Sequence, residues 1–303
     1  MKLKSGKTRS RERNGELFIL TEVLLWSIFP VITILALGTI SPFYAASIST
    51  LIAAVFFASV ITIKRQWHHL LRRQAWKPIF LASLFVGCFF YAFIFLGLRY
   101  TTAGNASILS LMEVFFSFVI LGVLLKHEHI LPSHFLGSLL MVIGAGLILL
   151  PNVSGWHHGN LLVILATFFA PWGNRYAQQA RKIVSAETIM FCRSVISGLF
   201  LLTLAVIFES TPSRGALLAS TSFLLVNGIL LMGLSKIFWL EGIARLPITK
   251  AISLSSLAPA FTLIVAYMVL HESVTSIQIL GFLPIVIGVS LLTKKKGVIE
   301  IAV

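Results

Sequence analysis

Residues 128–150, EHILPSHFLGSLLMVIGAGLILL, and residues 272–294, ESVTSIQILGFLPIVIGVSLLTK, are two versions of one segment. They align without a gap at a shift of 144. Glu128 falls on Glu272, Leu136-Gly137 on Leu280-Gly281, Val142-Ile143-Gly144 on Val286-Ile287-Gly288, and Leu147 on Leu291. Upstream the shift is 146, a two-residue difference that a helix end absorbs. There Leu111 matches Leu257, Phe115 matches Phe261 and Trp26 matches Trp172. The chain is therefore read as two related halves, 17–150 and 151–293, between a basic arm at 1–16 and a tail at 294–303.

Both halves are built from apolar runs. The chain of 303 residues is 57% hydrophobic and 11% charged, where soluble domains carry about 25% charged residues. All 10 of its acidic residues are glutamates. Runs long enough to cross a bilayer as helices, about 20 residues each, recur throughout. They are continuously apolar, which excludes a barrel, whose strands alternate over about 10 residues. Ten helices are predicted, at about 17–37, 43–63, 78–98, 103–125, 133–150, 159–179, 186–208, 218–241, 248–270 and 274–293. The fold class is an all-α membrane protein, a 5+5 repeat. Five crossings per half is an odd number, so the second half enters the membrane inverted relative to the first. That topology suits alternating access around a site near the midplane.

The net charge of +14 need not mean a nucleic-acid partner. With the N-terminus in the cytoplasm, that side receives Lys64, Arg65, Arg72, Arg73, Lys77, Lys126, Arg181, Lys182, Arg245, Lys294 to Lys296 and the basic arm. The other side receives only Arg99 and Arg214. Such a bias sets orientation and places both termini in the cytoplasm. The first apolar run lacks a small-residue cleavage site and is read as a retained helix. Cys88 and Cys192 lie in apolar runs and form no CxxC motif. The KHEH run at 126–129 lacks metal-ligand spacing, so neither a metal nor any other cofactor is expected.

Gly137 and Gly144, and their twins Gly281 and Gly288, lie seven apart, about two turns, and so on one helix face. Small residues on one face let membrane helices approach closely, and these four are assigned to helix packing. Beside them stand the pair LRYTTAGNASIL and ARLPITKAISL and the segments VLLKHEHILPSHFLGSLLMVIGAGLIL and MVLHESVTSIQILGFLPIVIGVSLL. In order and spacing these resemble the EamA-type transporters of the drug/metabolite transporter superfamily, over nearly the whole chain. The resemblance implies a carrier in the bacterial cytoplasmic (inner) membrane that moves a small metabolite, often outward, through a cavity between the halves. Two positions depart from the family pattern. Glu113 stands where the second half has the mid-helix Pro259, and Ser47 stands where the second half has Arg193.

Glu113 is the sharpest candidate. It lies ten residues into its helix, about 15 Å deep, in the middle of the hydrocarbon. A glutamate there must face a cavity, pair with a cation or hold a proton, and such residues are functional by default. Asn105 and Ser110 share part of its face, and Ser256 is the twin of Ser110. Trp26 and Trp172 fall mid-span, away from the interfaces that tryptophan favours, and either line a cavity or pack in the core. Tyr91 and Asn174 are further cavity candidates. Lys236 either snorkels or pairs with Glu22. Arg193, Glu241 and Lys250 are read as interface anchors.

No GxxxxGK[ST], GxSxG or HExxH motif occurs, so an enzyme is not expected. The leading expectation is a secondary exporter of an amino acid or similar metabolite, coupled to protons through Glu113. A lipid or lipid-linked sugar flippase on the same fold is the alternative. Its partners are then the bilayer, the substrate and protons, as a monomer or a homodimer.

Overall fold

The computed structural model describes residues 2–124, 132–149, 158–246 and 248–292. Glu128, the KHEH run and the tail from 294 lie outside the described residues. Among the described residues every regular element is helical.

The first half begins with α1 (Lys2–Trp26), α2 (Phe29–Leu37) and α3 (Pro42–Ile63). It continues with α4 (Arg73–Ala82) and α5 (Tyr91–Leu98), which a π-helical stretch at Ser83–Phe90 joins into one rod. It ends with α6 (Ala103–Ser110), α7 (Met112–Ser117) and α8 (Pro132–Leu149). The second half comprises α9 (His158–Arg181), α10 (Ala186–Phe208), α11 (Arg214–Leu225), α12 (Ser235–Ile243), α13 (Ile248–Ser255), α14 (Ala258–Leu270) and α15 (Ser276–Leu292). Two further π-helical stretches occur, one following α7 at Phe118–Leu124 and one, Val226–Leu234, joining α11 to α12. Six runs have the length and apolarity to cross a membrane: Glu12–Leu37, Pro42–Ile63, Arg73–Leu98, Ala103–Ile120, Ala186–Phe208 and Arg214–Ile243. Ser133–Ile148, Ala258–Leu270 and Ser276–Leu291 are shorter apolar helices.

Three rods are interrupted, and the sequence reading had them continuous. The first breaks at Ser27-Ile28, where Pro30 opens α2. A proline has no N–H to give and starts a helix more easily than it continues one. The rod α13–α14 breaks at Ser256-Leu257 for the same reason, with Pro259 at the start of α14. The rod α6–α7 breaks at Leu111, the matching place, although Glu113 replaces the proline there. Leu111 N–H bonds to Ile108 O at 3.1 Å and Val114 N–H to Leu111 O at 2.9 Å, each three residues back. The last turn of α6 has tightened. Helix starts also move: the third rod begins at Arg73 rather than 78, the eighth at Arg214 rather than 218.

The packing repeats when the halves are exchanged. α8 lies on α15 and α3 on α10, while α6 and α7 meet α14 and α13. α1 packs on α12 as α9 packs on the α4–α5 rod, and α7 meets α9 as α13 meets α1. The glycine faces form the α8–α15 contact. A Cβ on Gly144 would sit 2.4 Å from Gly281 O, and one on Gly281 would sit 2.7 Å from Gly144 O. A Cβ on Gly288 would sit 2.5 Å from Gly137 O. Backbone lies against backbone, so no side chain can rotate away. Gly144→Ala is expected to push the helices apart and destabilise the protein by about 1–3 kcal/mol. Gly146, where a Cβ meets nothing within 4 Å, is the control: Gly146→Ala is expected to be neutral or slightly stabilising. Thermal unfolding in detergent measures both, and equal effects would refute the contact.

Connections dock across the halves as well. Lys64 pairs with Glu187, and Arg72 Nη1 donates to Ile183 O at 3.0 Å. His69 Nδ1 accepts the N–H of Ser185, the N-cap of α10, at 3.4 Å. Burial, then repulsion from His68 and Arg72, holds the His69 pKa below the usual histidine value. At two other ends a carboxylate caps a helix of the opposite half: Glu209 takes the N–H groups of Phe43 and Tyr44, and Glu272 those of Ala103 and Gly104.

Candidate functional site

The interrupted rods meet around a cavity of about 120 Å³. Helix breaks are where membrane helices present polar groups to a substrate, and Pro30, Leu111 and Pro259 all line this space. Both halves contribute. α1 supplies Glu22 and Trp26, and the third rod supplies Phe90 and Tyr91 around the end of its π-helical stretch. Ser110 and Glu113 flank the Leu111 break. Asn174, Arg193, Lys236 and Trp239 arrive from α9, α10 and α12.

Two polar constellations occupy the walls. In the first, Lys236 Nζ lies 2.6 Å from Glu22 Oε1. It also sits 3.2 Å from the centre of the Trp26 ring, a cation–π contact. Trp26 stacks on Phe29 with centroids 4.1 Å apart and planes 7° apart, which fixes the ring under the ammonium. In the second, Asn174 Nδ2 donates to Glu113 Oε1 at 2.7 Å, and Trp239 Nε1 donates to Asn174 Oδ1 at 3.1 Å. The indole N–H is a donor only, so it orients the Asn174 amide with its NH₂ toward Glu113. Glu22 thus faces a cation and Glu113 a neutral amide. A buried, paired lysine and a buried acid on a neutral donor have different freedom to change charge.

Arg193 was read from sequence as an interface anchor, and the structure corrects this. It is buried, donates from Nη2 to Tyr91 Oη at 3.0 Å, and lines the cavity. Gly87 makes room for it: a Cβ there would lie 3.2 Å from Arg193 Cγ. Glu241 instead joins Arg181 and Arg245 in a partly exposed cluster, and Lys250 pairs with Glu16 at 2.6 Å.

Three candidates lie away from the cavity lining. Trp172 packs against Phe85, centroids 6.1 Å apart, in an aromatic cluster with Phe169 and Tyr176. Asn105 accepts from Gln278 Nε2 at 2.9 Å, tying α6 to α15. Ser256 lies in the break between α13 and α14, and its neighbour Ser255 lines the cavity. Trp239 was missed, although it stands three residues from Lys236 and so on the same helix face. Thr262, which takes the Ser107 hydroxyl at 2.9 Å and donates to Ser27 O at 2.7 Å, was missed too. It holds the first break against both halves.

A two-fold helical bundle with broken helices around a central cavity that carries charged side chains is the architecture of membrane carriers. The chain belongs to the EamA-like transporter family, whose profile matches residues 13–150 and again 157–294. The Bacillus subtilis (strain 168) proteins called uncharacterized transporters YoaV and YvbV are similar over most of the chain. YoaV is 23% identical over 278 residues, 89% of this chain and 94% of its own. YvbV is 26% identical over 280 residues, 90% and 89% respectively. A solved crystal structure superposes with a TM-score of 0.66 at 17% identity, covering 91% of this chain and 95% of its own. At that identity it establishes the fold.

Proposed function

We propose that the protein is a secondary carrier that exports a small organic metabolite, an amino acid or similar, by alternating access. In this reading ten helices cross the bacterial cytoplasmic membrane as an inverted 5+5 repeat, with both termini in the cytoplasm. Exchange of conformation between the halves opens the cavity to one side and then the other. The observation that carries the reading is the buried Lys236–Glu22 pair beside Glu113 in a cavity where broken helices of both halves meet. Charged groups are costly in hydrocarbon and mark substrate or ion pathways. The transported proton is assigned to Glu113, because its partner is neutral Asn174.

Metabolite profiling of deletion and overexpression strains tests the function. The expected result is one small polar metabolite that accumulates inside the deletion strain and outside the overexpressing one. Unchanged metabolites together with loss of a lipid-linked product in the deletion strain would sink the exporter reading in favour of a flippase.

A further inference from the structure

The charges in the cavity divide cleanly between the halves. Both carboxylates, Glu22 and Glu113, belong to the first half, and both cations, Arg193 and Lys236, to the second. The repeat makes this division a property of the sequence. At the shift of 146 the twin of Glu22 is Phe168, that of Glu113 is Pro259, that of Lys236 is Phe90 and that of Arg193 is Ser47. No charged residue in the cavity has a charged twin.

One pair closes on itself. Lys236 is bonded to Glu22 and covered by the Trp26 ring, so it has little left to offer a ligand. Arg193 is in the opposite situation. Its guanidinium is a permanent cation, and the residue is 5% exposed. Among the described residues no carboxylate forms an ion pair with it. Among the described residues its side chain bonds only to the neutral Tyr91 hydroxyl, and its buried Nε–H has no hydrogen-bond partner. A buried cation in that condition is costly. The cost is offset when an anion arrives, and a guanidinium fork fits a planar oxyanion with two parallel hydrogen bonds.

We propose that Arg193, held in place by Tyr91, is the receptor for an acidic group on the transported molecule, so that the substrate class is small organic acids bearing a carboxylate or similar oxyanion. This rests on the carrier reading for the word transported, while the binding site stands on its own geometry. The other unpaired charge, Glu113, lies in the same cavity and remains available for a proton. The aromatic walls, Trp26, Phe90 and Trp239, would enclose the apolar part of such a molecule.

The test uses the full-length protein in detergent with two probes of one shape, benzoate and benzamide, titrated by calorimetry. The wild type is expected to prefer benzoate by at least about tenfold, the smallest effect consistent with one charge-assisted bond at a buried cation. Arg193→Gln is expected to remove the preference. Arg193→Lys, which keeps the cation and loses the fork, is expected to reduce it. Equal affinity for acid and amide in the wild type overturns the proposal. So does a preference undiminished in whichever variant folds. The assay involves no transport, so unaltered metabolites in the strains would refute the carrier reading and leave this result standing.

Discussion

Glu22→Gln is expected to destabilise the protein more than any other single change to an ion pair in the fold. Its partner Lys236 is 8% exposed and Glu22 3%, so both side chains are largely withdrawn from solvent. Removing one member of a buried pair leaves an uncompensated charge and costs about 3–5 kcal/mol. The cation–π contact with Trp26 softens this, by about 2 kcal/mol when desolvated, and leaves part of the loss uncompensated. The exposed pairs behave differently. Lys250–Glu16, with side chains 37% and 38% exposed, is worth about 0–1 kcal/mol. The double variant Glu22→Gln, Lys236→Met is expected to recover most of the loss, because replacing a buried pair by uncharged groups is often neutral. Thermal unfolding in detergent, run as a double-mutant cycle, measures the coupling. A Glu22→Gln change no larger than that of Glu16→Gln would show that water reaches the pair and that it is a surface bridge in energetic terms.

The same pair illustrates what a sequence can say about a site. Spacing along a helix gives depth, and depth was enough to mark Glu113 as out of place in hydrocarbon, while for Lys236 it left snorkelling and pairing with Glu22 both open. Spacing gives the face only while the helix is regular. The rod carrying Tyr91 is π-helical over Ser83–Phe90, and the rods carrying Ser110 and Ser256 break at Leu111 and at Ser256-Leu257. Each irregularity turns the residues beyond it to a new face, so regular spacing does not carry a cavity position from one half to its twin: Ser110 lines the cavity, whereas its twin Ser256 falls within a break and does not. Proline announced two of the breaks. The break at Leu111 had no signal in its own segment and was visible only through its twin. Arg193 was misplaced because its position near the start of α10 suited a snorkelling side chain; what draws it inward is Gly87 and Tyr91 on another rod. The glycine faces were legible because α8 and α15 each run on unbroken, α15 even across Pro284, so a seven-residue repeat keeps to one face.

Glu113→Gln is expected to abolish proton linkage while leaving the fold intact. The amide has the shape of the acid, and its oxygen still accepts from Asn174, so the Trp239–Asn174 chain keeps its orientation. What disappears is a group that can be neutral or charged. The titratable and charged groups that face the same space are Glu22, Tyr91, Lys236 and Arg193, and of these Glu22 is committed to Lys236 and Tyr91 accepts from Arg193. The remaining balance is between Glu113 and Arg193. With Glu113 ionised, the empty cavity is neutral overall. With Glu113 protonated, Arg193 is in excess by one charge, and an acid bound to Arg193 restores neutrality. Proton uptake and acid binding therefore favour one another, and by linkage each raises the affinity of the other. In the wild type, benzoate is expected to bind more tightly as the pH falls from about 8 to about 6, a range in which carboxylic acids free in water stay ionised. In Glu113→Gln the affinity is expected to be independent of pH over that range. In proteoliposomes the same variant would still exchange labelled substrate across the membrane yet no longer respond to an imposed pH gradient. An unchanged response to the gradient in Glu113→Gln would remove the residue from the coupling step. Its presence opposite Pro259 would then be a matter of how the Leu111 break is built without a proline.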